Sequence, residues 1–275
     1  MEQPNLSFSE QLYLELLRIN RENLMEYLNN YPLYGSQLSY DTNFNSKCYN
    51  LMFSKQREAS PITRNDFWSQ IENLQEECNS CWKFYLKPRN NSIKSLDIKL
   101  GKMFEQSFMD FLKTKNFKVQ RADIEKRNYP DIKVIKNGII SYIELKYLSA
   151  PFLMVYKKIK GRECYEGSTT LDVGKKISAQ RELVKKEILE PVYYVYWIDF
   201  PCIKGVFFMP ANEVYHYIDE RNGLEFTRKE RSGDFINTAS GKEKMAELDK
   251  VYLPLLKMGN FGELMIKIGG DSNNP

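Results

Sequence analysis

Apolar residues first recur at helical spacing in "SFSEQLYLELLRINRENLMEYLNN", where Leu12, Leu16, Ile19 and Leu28 predict a helix over 7–30 behind a Ser-x-x-Gln-type cap. A polar segment over 31–46 follows. "SPITRNDFWSQIENLQEECNSCWKFYL" then predicts a second helix, entered at a proline and an Asn/Asp cap. "PRNNS" at 88–92 reads as a linker, so residues 1–92 form a helical N-terminal domain and residues 93–275 a second one. In that second part Leu100, Phe104, Phe108, Phe111 and Leu112 make one helical stripe, ending near Lys115 and Asn116, and Phe117, Lys118 and Val119 open a strand.

The polarity then alternates with period two. "YPDIKVIKNGIISYIELKY" places two Ile/Val-rich runs around Asn137-Gly138, a pair that tolerates positive φ at both central positions and so predicts a two-residue β-hairpin turn. Further on, "GKKISAQRELVKKEILE" predicts a helix, "VYYVYWIDF" a buried strand, "KGVFFMP" another strand and "ANEVYHYIDE" a last helix. Helix, strand, hairpin, helix, strand, strand, helix describes an α/β fold with a mixed central sheet flanked by helices. The terminal "GGDSNNP" reads as a frayed tail.

Composition narrows the class. The 275 residues are 42% hydrophobic and 13% aromatic, ample for a packed core. No apolar run reaches bilayer length, and the start lacks the pattern of a secretory signal, which predicts a cytoplasmic protein with no membrane partner. Five cysteines at irregular positions argue against a disulfide framework, and Cys78-x-x-Cys81 lacks the second pair or the histidines of a zinc site. With His216 as the only histidine, chemistry built on several histidines is excluded.

Charge is uneven. Residues 1–95 carry 10 Lys/Arg against 11 Asp/Glu, residues 96–275 carry 30 against 25, and 151–186 hold nine basic residues against four acidic ones. A local basic stretch of this kind suits a polyanion better than a net charge of +4 does.

If the hairpin turn is unbulged, Lys136 pairs with Ile139, and counting outward sets Asp131 opposite Glu144, roughly 5 Å apart at Cβ. Like charges so placed destabilise a sheet unless a cation lies between them. A hard divalent ion, Mg²⁺, accepts one or two carboxylates, keeps waters and takes phosphate oxygens, so Asp131, Glu144 and the neighbouring Lys146 together suit phosphodiester hydrolysis.

"PD" at Pro130-Asp131 followed by "ELK" at Glu144-Leu145-Lys146 resembles the PD-(D/E)XK nuclease superfamily, whose best-known members are type II restriction endonucleases. The resemblance spans about residues 96–218. It implies a restriction-endonuclease-like core and a type II restriction endonuclease that cleaves double-stranded DNA with Mg²⁺ as a homodimer. Asp131 and Glu144 become metal carboxylates, Leu145 a main-chain metal ligand, Lys146 the catalytic lysine, and Glu105 of "GKMFEQ" a further acidic group near the metal.

Lys157, Lys158, Lys160, Lys175 and Lys176 are expected on DNA phosphates. Gln180 and Arg181 are expected on base edges, since Gln reads adenine and Arg reads guanine in the major groove. A structure-specific repair or recombination nuclease of the same fold, and a non-catalytic DNA-binding module, are the competing readings.

Overall fold

The five apolar positions of the predicted stripe, Leu100 to Leu112, are all buried, and they determine how one face of the central sheet is covered. The structure, a computed structural model, describes residues 6–30, 39–51, 64–70, 72–76, 94–124, 126, 128–149, 169–189, 191–220, 226–228, 235–238, 241–244 and 248–269. The stripe belongs to α4 (Lys94–Thr114), which follows α1 (Phe8–Asn30), α2 (Phe44–Tyr49) and α3 (Arg64–Gln70). After α4 come β1 (Lys118–Arg121), β2 (Ile132–Lys136), β3 (Ile139–Leu148), β4 (Thr170–Asp172) and α5 (Lys175–Lys185). The chain continues through β5 (Val192–Asp199), β6 (Lys204–Pro210), α6 (Ala211–Glu220), β7 (Phe226–Arg228), β8 (Phe235–Thr238), β9 (Gly241–Lys244) and β10 (Leu248–Tyr252). It closes with β11 (Gly259–Asn260) and α7 (Phe261–Lys267).

The central sheet is mixed, in the order β1-β2-β3-β5-β6-β11. Only the β3–β5 pair is parallel, which requires a crossover between them, and α5 lies in that crossover. The hairpin turn is as the sequence predicts: Asn137 and Gly138 have φ of 51° and 80°, and Lys136 pairs with Ile139. β4, β10 and β7 form a separate three-stranded sheet, and β8 pairs with β9.

Side-chain alternation splits the core into two layers. On one side Ile132, Val134, Ile143, Leu145, Val195 and Trp197 pack with the apolar faces of α1, α4 and α7. On the other, Tyr142, Tyr194, Tyr196 and Ile198 pack with Ile177 of α5, Val214 and Ile218 of α6, and Tyr49 of α2. Every residue of β5 is buried, as expected of a strand covered on both faces.

Several expectations change. The cap of α1 is closed by a glutamate rather than a glutamine: the Ser7 N–H donates to Glu10 Oε2 at 2.9 Å, and Tyr40 OH donates to the other carboxylate oxygen at 2.6 Å. The second predicted helix is interrupted: Arg64–Gln70 is helical, Asn73 leaves the helical region at φ 65°, and residues 74–76 are helical again. α5 stops at Lys185, and Glu187 takes a positive φ of 56°. Cys48 and Cys202 are buried and form no disulfide; Cys78, Cys81, Cys164, the 88–92 linker and residues 270–275 lie outside the described residues.

The N-terminal region does not form a core of its own among the described residues. Leu12, Tyr13, Leu16 and Leu17 of α1 enter the layer shared by α4 and the sheet. Ser9 ties the helix to the far end of the chain: its hydroxyl donates to Asn260 Oδ1 at 2.8 Å and accepts from the Gly262 N–H at 3.0 Å. Asn260 also caps α7 in a reciprocal box with Glu263. Leu16→Ala is therefore expected to cost the whole fold about 2–5 kcal/mol, read as a lower urea midpoint with one cooperative transition. A separate N-terminal transition would instead support a boundary near residue 92.

At the β5–β6 turn, Asp199 and Lys204 form an ion pair with both side chains buried, and Tyr147 OH donates to Asp199 at 3.1 Å. Burial pushes the Asp199 carboxyl above its ordinary value, and Lys204 and Tyr147 only partly pull it back. Through the window from the ordinary aspartate value up to that raised one, the folded chain keeps a proton the unfolded chain has released. Stability therefore falls as pH rises through that window and is flat above it. Asp199→Asn should remove this fall, visible as a changed slope of melting temperature against pH in weak acid; an unchanged slope refutes the assignment.

Candidate active site

The hairpin register fixes the site. The β2–β3 ladder runs from Lys136↔Ile139 to Ile132↔Ile143, so Asp131 stands one step beyond its end, beside Glu144. Because Ile132, Ile143 and Leu145 point into the α4 layer, period-two alternation turns Asp131, Glu144 and Lys146 to the α5 side.

Asp131 also completes the ladder with its side chain. The Tyr142 N–H bonds to Pro191 on the β5 side, so alternate residues 143 and 145 address β2. Where β2 has ended, the Leu145 N–H donates to Asp131 Oδ2 at 2.9 Å. The Leu145 carbonyl, the expected main-chain ligand, faces that same side by the same alternation.

The two carboxylates do converge, and a lysine lies between them. Lys176 Nζ, from the first turn of α5, is 2.8 Å from Asp131 Oδ1, 2.8 Å from Glu144 Oε2 and 3.0 Å from Glu144 Oε1. Lys146 Nζ donates to Glu144 Oε1 at 2.6 Å and does not bridge to Asp131. Two acids and two ammonium groups thus form a neutral cluster, with Glu144 fully buried and both lysine side chains about one-third exposed.

Behind Glu144 runs a buried polar chain. Gln180 Nε2 donates to Glu144 Oε2 at 2.8 Å, Tyr194 OH donates to Gln180 Oε1 at 2.8 Å, and the Tyr194 and Tyr215 hydroxyls meet at 3.3 Å. Register explains the assembly: Glu144 pairs with Tyr194 in the parallel ladder, and Lys176 and Gln180 are four apart on one helical face.

The acids titrate in opposite directions. Burial and then the Glu144 charge raise the Asp131 carboxyl, more than the two lysines lower it. Burial also presses upward on Glu144, but Lys146 and Lys176 hold it below its ordinary value. Burial alone would lower Lys176; the two carboxylates more than reverse that, keeping it protonated. On acidification the first proton of the pair goes to Asp131, because Glu144 has three donors on its two oxygens.

Glu105 approaches from α4. Its carboxylate takes the Arg121 guanidinium at 2.6 Å, and Arg121 also reaches the Lys102 carbonyl at 3.3 Å. Burial and the nearby Asp131 charge raise the Glu105 carboxyl despite Arg121, so the two acids sense each other. Glu105 lies within electrostatic reach of Asp131 and is oriented by Arg121.

The residues expected on DNA separate. Lys157, Lys158 and Lys160 lie outside the described residues, and Lys175 is exposed at the start of α5. Lys176 is engaged by the two acids. Gln180 is fully buried with both ends of its amide bonded, and Arg181 pairs with Asp219 against the Tyr215 ring. Gln180, expected on a base edge, spends both ends of its amide on Glu144 and Tyr194. Lys176 and Gln180 read as a surface pair because their neighbours in "KKISAQREL" are mostly polar; their four-residue spacing, set against the Tyr194 face of β5, is the signal that places them inward.

Among the described residues no group of three His, Cys, Asp or Glu side chains is arranged to hold a metal ion. Two carboxylates sharing one cation position nevertheless fit an ion that takes one or two acidic ligands and keeps several waters. The donor set is all oxygen, which favours Mg²⁺ over metals that prefer nitrogen or sulfur. Among the described residues no helix is long and apolar enough to cross a membrane. No protein-family model matches the chain, and no curated protein matches it.

Proposed function

We propose that this chain is a Mg²⁺-dependent nuclease of the PD-(D/E)XK type that hydrolyses phosphodiester bonds in double-stranded DNA, acting as an endonuclease. The observation that carries this reading is the convergence of Asp131, Glu144 and Lys146 at the open end of the β2–β3 ladder. The order α4, β1, β2–β3 hairpin, α5, β5, with β3 parallel to β5, supports a restriction-endonuclease-like core around it. Asp131, Glu144 and the Leu145 carbonyl would hold the ion, which when bound polarises a phosphoryl oxygen and acidifies a water.

The chain's own groups have distinct tasks. Gln180 and Tyr194 fix the Glu144 carboxylate in one orientation, and the Leu145 N–H does the same for Asp131. Lys146, one-third exposed and anchored on Glu144, is placed to orient an attacking water or to offset charge on the phosphate. Exposed Lys175 is available to a phosphate beside the site. A homodimer of restriction type would supply one such site to each strand.

Purified protein with Mg²⁺ and plasmid DNA of known sequence should yield discrete fragments, and Asp131→Asn should lower cleavage by at least about 100-fold while leaving DNA binding in place. Preference for branched or nicked DNA over plain duplex would move the assignment to a structure-specific nuclease. Intact DNA with every divalent metal, alongside measurable binding, would leave a binding module.

A further inference from the structure

Taking Asp131 and Glu144 as the carboxylates that hold a divalent cation, we propose that Lys176 is the built-in competitor for that position: its ammonium neutralises both acids in the metal-free chain, and the ion enters only as Lys176 swings out. Lys176 is the described cation that contacts both carboxylates, at 2.8 Å on each, whereas Lys146 touches Glu144 alone. An ammonium and a dication cannot share the gap between the same two oxygens, since each would face the other's full charge at close range. The side chain has a way out: it is 37% exposed and stands on the first turn of α5, with a flexible four-carbon stem.

The other contacts stay behind when it leaves. Leu145 N–H still holds Asp131, and Gln180 still holds Glu144, so the acids keep their orientation. Lys176 therefore sets the metal concentration at which the site loads, and it protects two buried like charges from each other until then. The released ammonium emerges beside exposed Lys175, where a DNA phosphate could receive it. Metal loading and DNA binding would then reinforce each other through one side chain.

The test is Mn²⁺ titrated into the full chain, with the free ion followed by electron paramagnetic resonance. Lys176→Met should bind Mn²⁺ at least about 10-fold more tightly than the unaltered chain, because a competitor is gone; structural damage alone would weaken binding. Unchanged or weaker affinity overturns the proposal. Without metal, the same variant should melt at a lower temperature, and Mn²⁺ should raise that temperature more than it does for the unaltered chain. If Lys176→Met does not fold, Lys176→Gln makes the same comparison.

Glu144→Gln identifies the ion's place: uptake that ignores this change, or no uptake by either chain, also overturns the proposal. Uptake that depends on Glu144 and tightens in Lys176→Met, with DNA left uncut, sustains the competition while removing the nuclease reading.

Discussion

Whether this chain has an acidic site at all depends on parity in one hairpin. The turn at Asn137-Gly138 sets Lys136 against Ile139, and from there every second residue of β2 and β3 is assigned to the same side of the sheet. A slip of one residue would bury the acids among Phe104, Phe108 and Trp197 and turn Ile143 and Leu145 outward, at a cost in desolvated charge that no packing there could offset. The apolar members of the hairpin thus enforce the position of its polar ones. Ile132, Val134, Ile143 and Leu145 are all buried, and their burial holds Asp131 and Glu144 on the α5 side.

Once two carboxylates are committed to the same space, the surroundings must supply positive charge and hydrogen-bond donors, and they come from three separate elements. β3 contributes Lys146, α5 contributes Lys176 and Gln180, and β5 contributes Tyr194, which holds the Gln180 amide in place. The cluster is satisfied on its buried side and uses flexible lysine stems where it meets solvent. This asymmetry separates groups that keep the acids oriented from groups that can move.

Much of the scaffold was legible because its determinants are local. The α4 stripe, the Asn-Gly turn, the all-buried β5 and the limits of β6 and α6 follow from spacing and turn chemistry within short windows. The opposition of Asp131 and Glu144 was legible for the same reason, since a hairpin register can be counted from its turn. What was not legible depends on contacts distant in sequence. Lys176 is 45 residues from Asp131, and Gln180 is 36 from Glu144; their four-residue spacing marks an inward face only once Tyr194 of β5 is set beside it. The place of α1 escaped for a similar reason, because its partners Asn260 and Gly262 are some 250 residues away. The Asn-x-x-Glu signature of the α7 cap, by contrast, is contained within a single turn.

The seam at Ser9, Asn260 and Gly262 has a bearing on access. A side chain added at Gly262 would press within 2.9 Å of the Phe8 ring, so first and last helices meet without slack and close one broad surface of the sheet. Among the described residues, that face of the sheet is reached only where α1 and α7 separate. The acids face the opposite side of the sheet, where the Lys146 and Lys176 stems are the parts of the cluster that meet solvent.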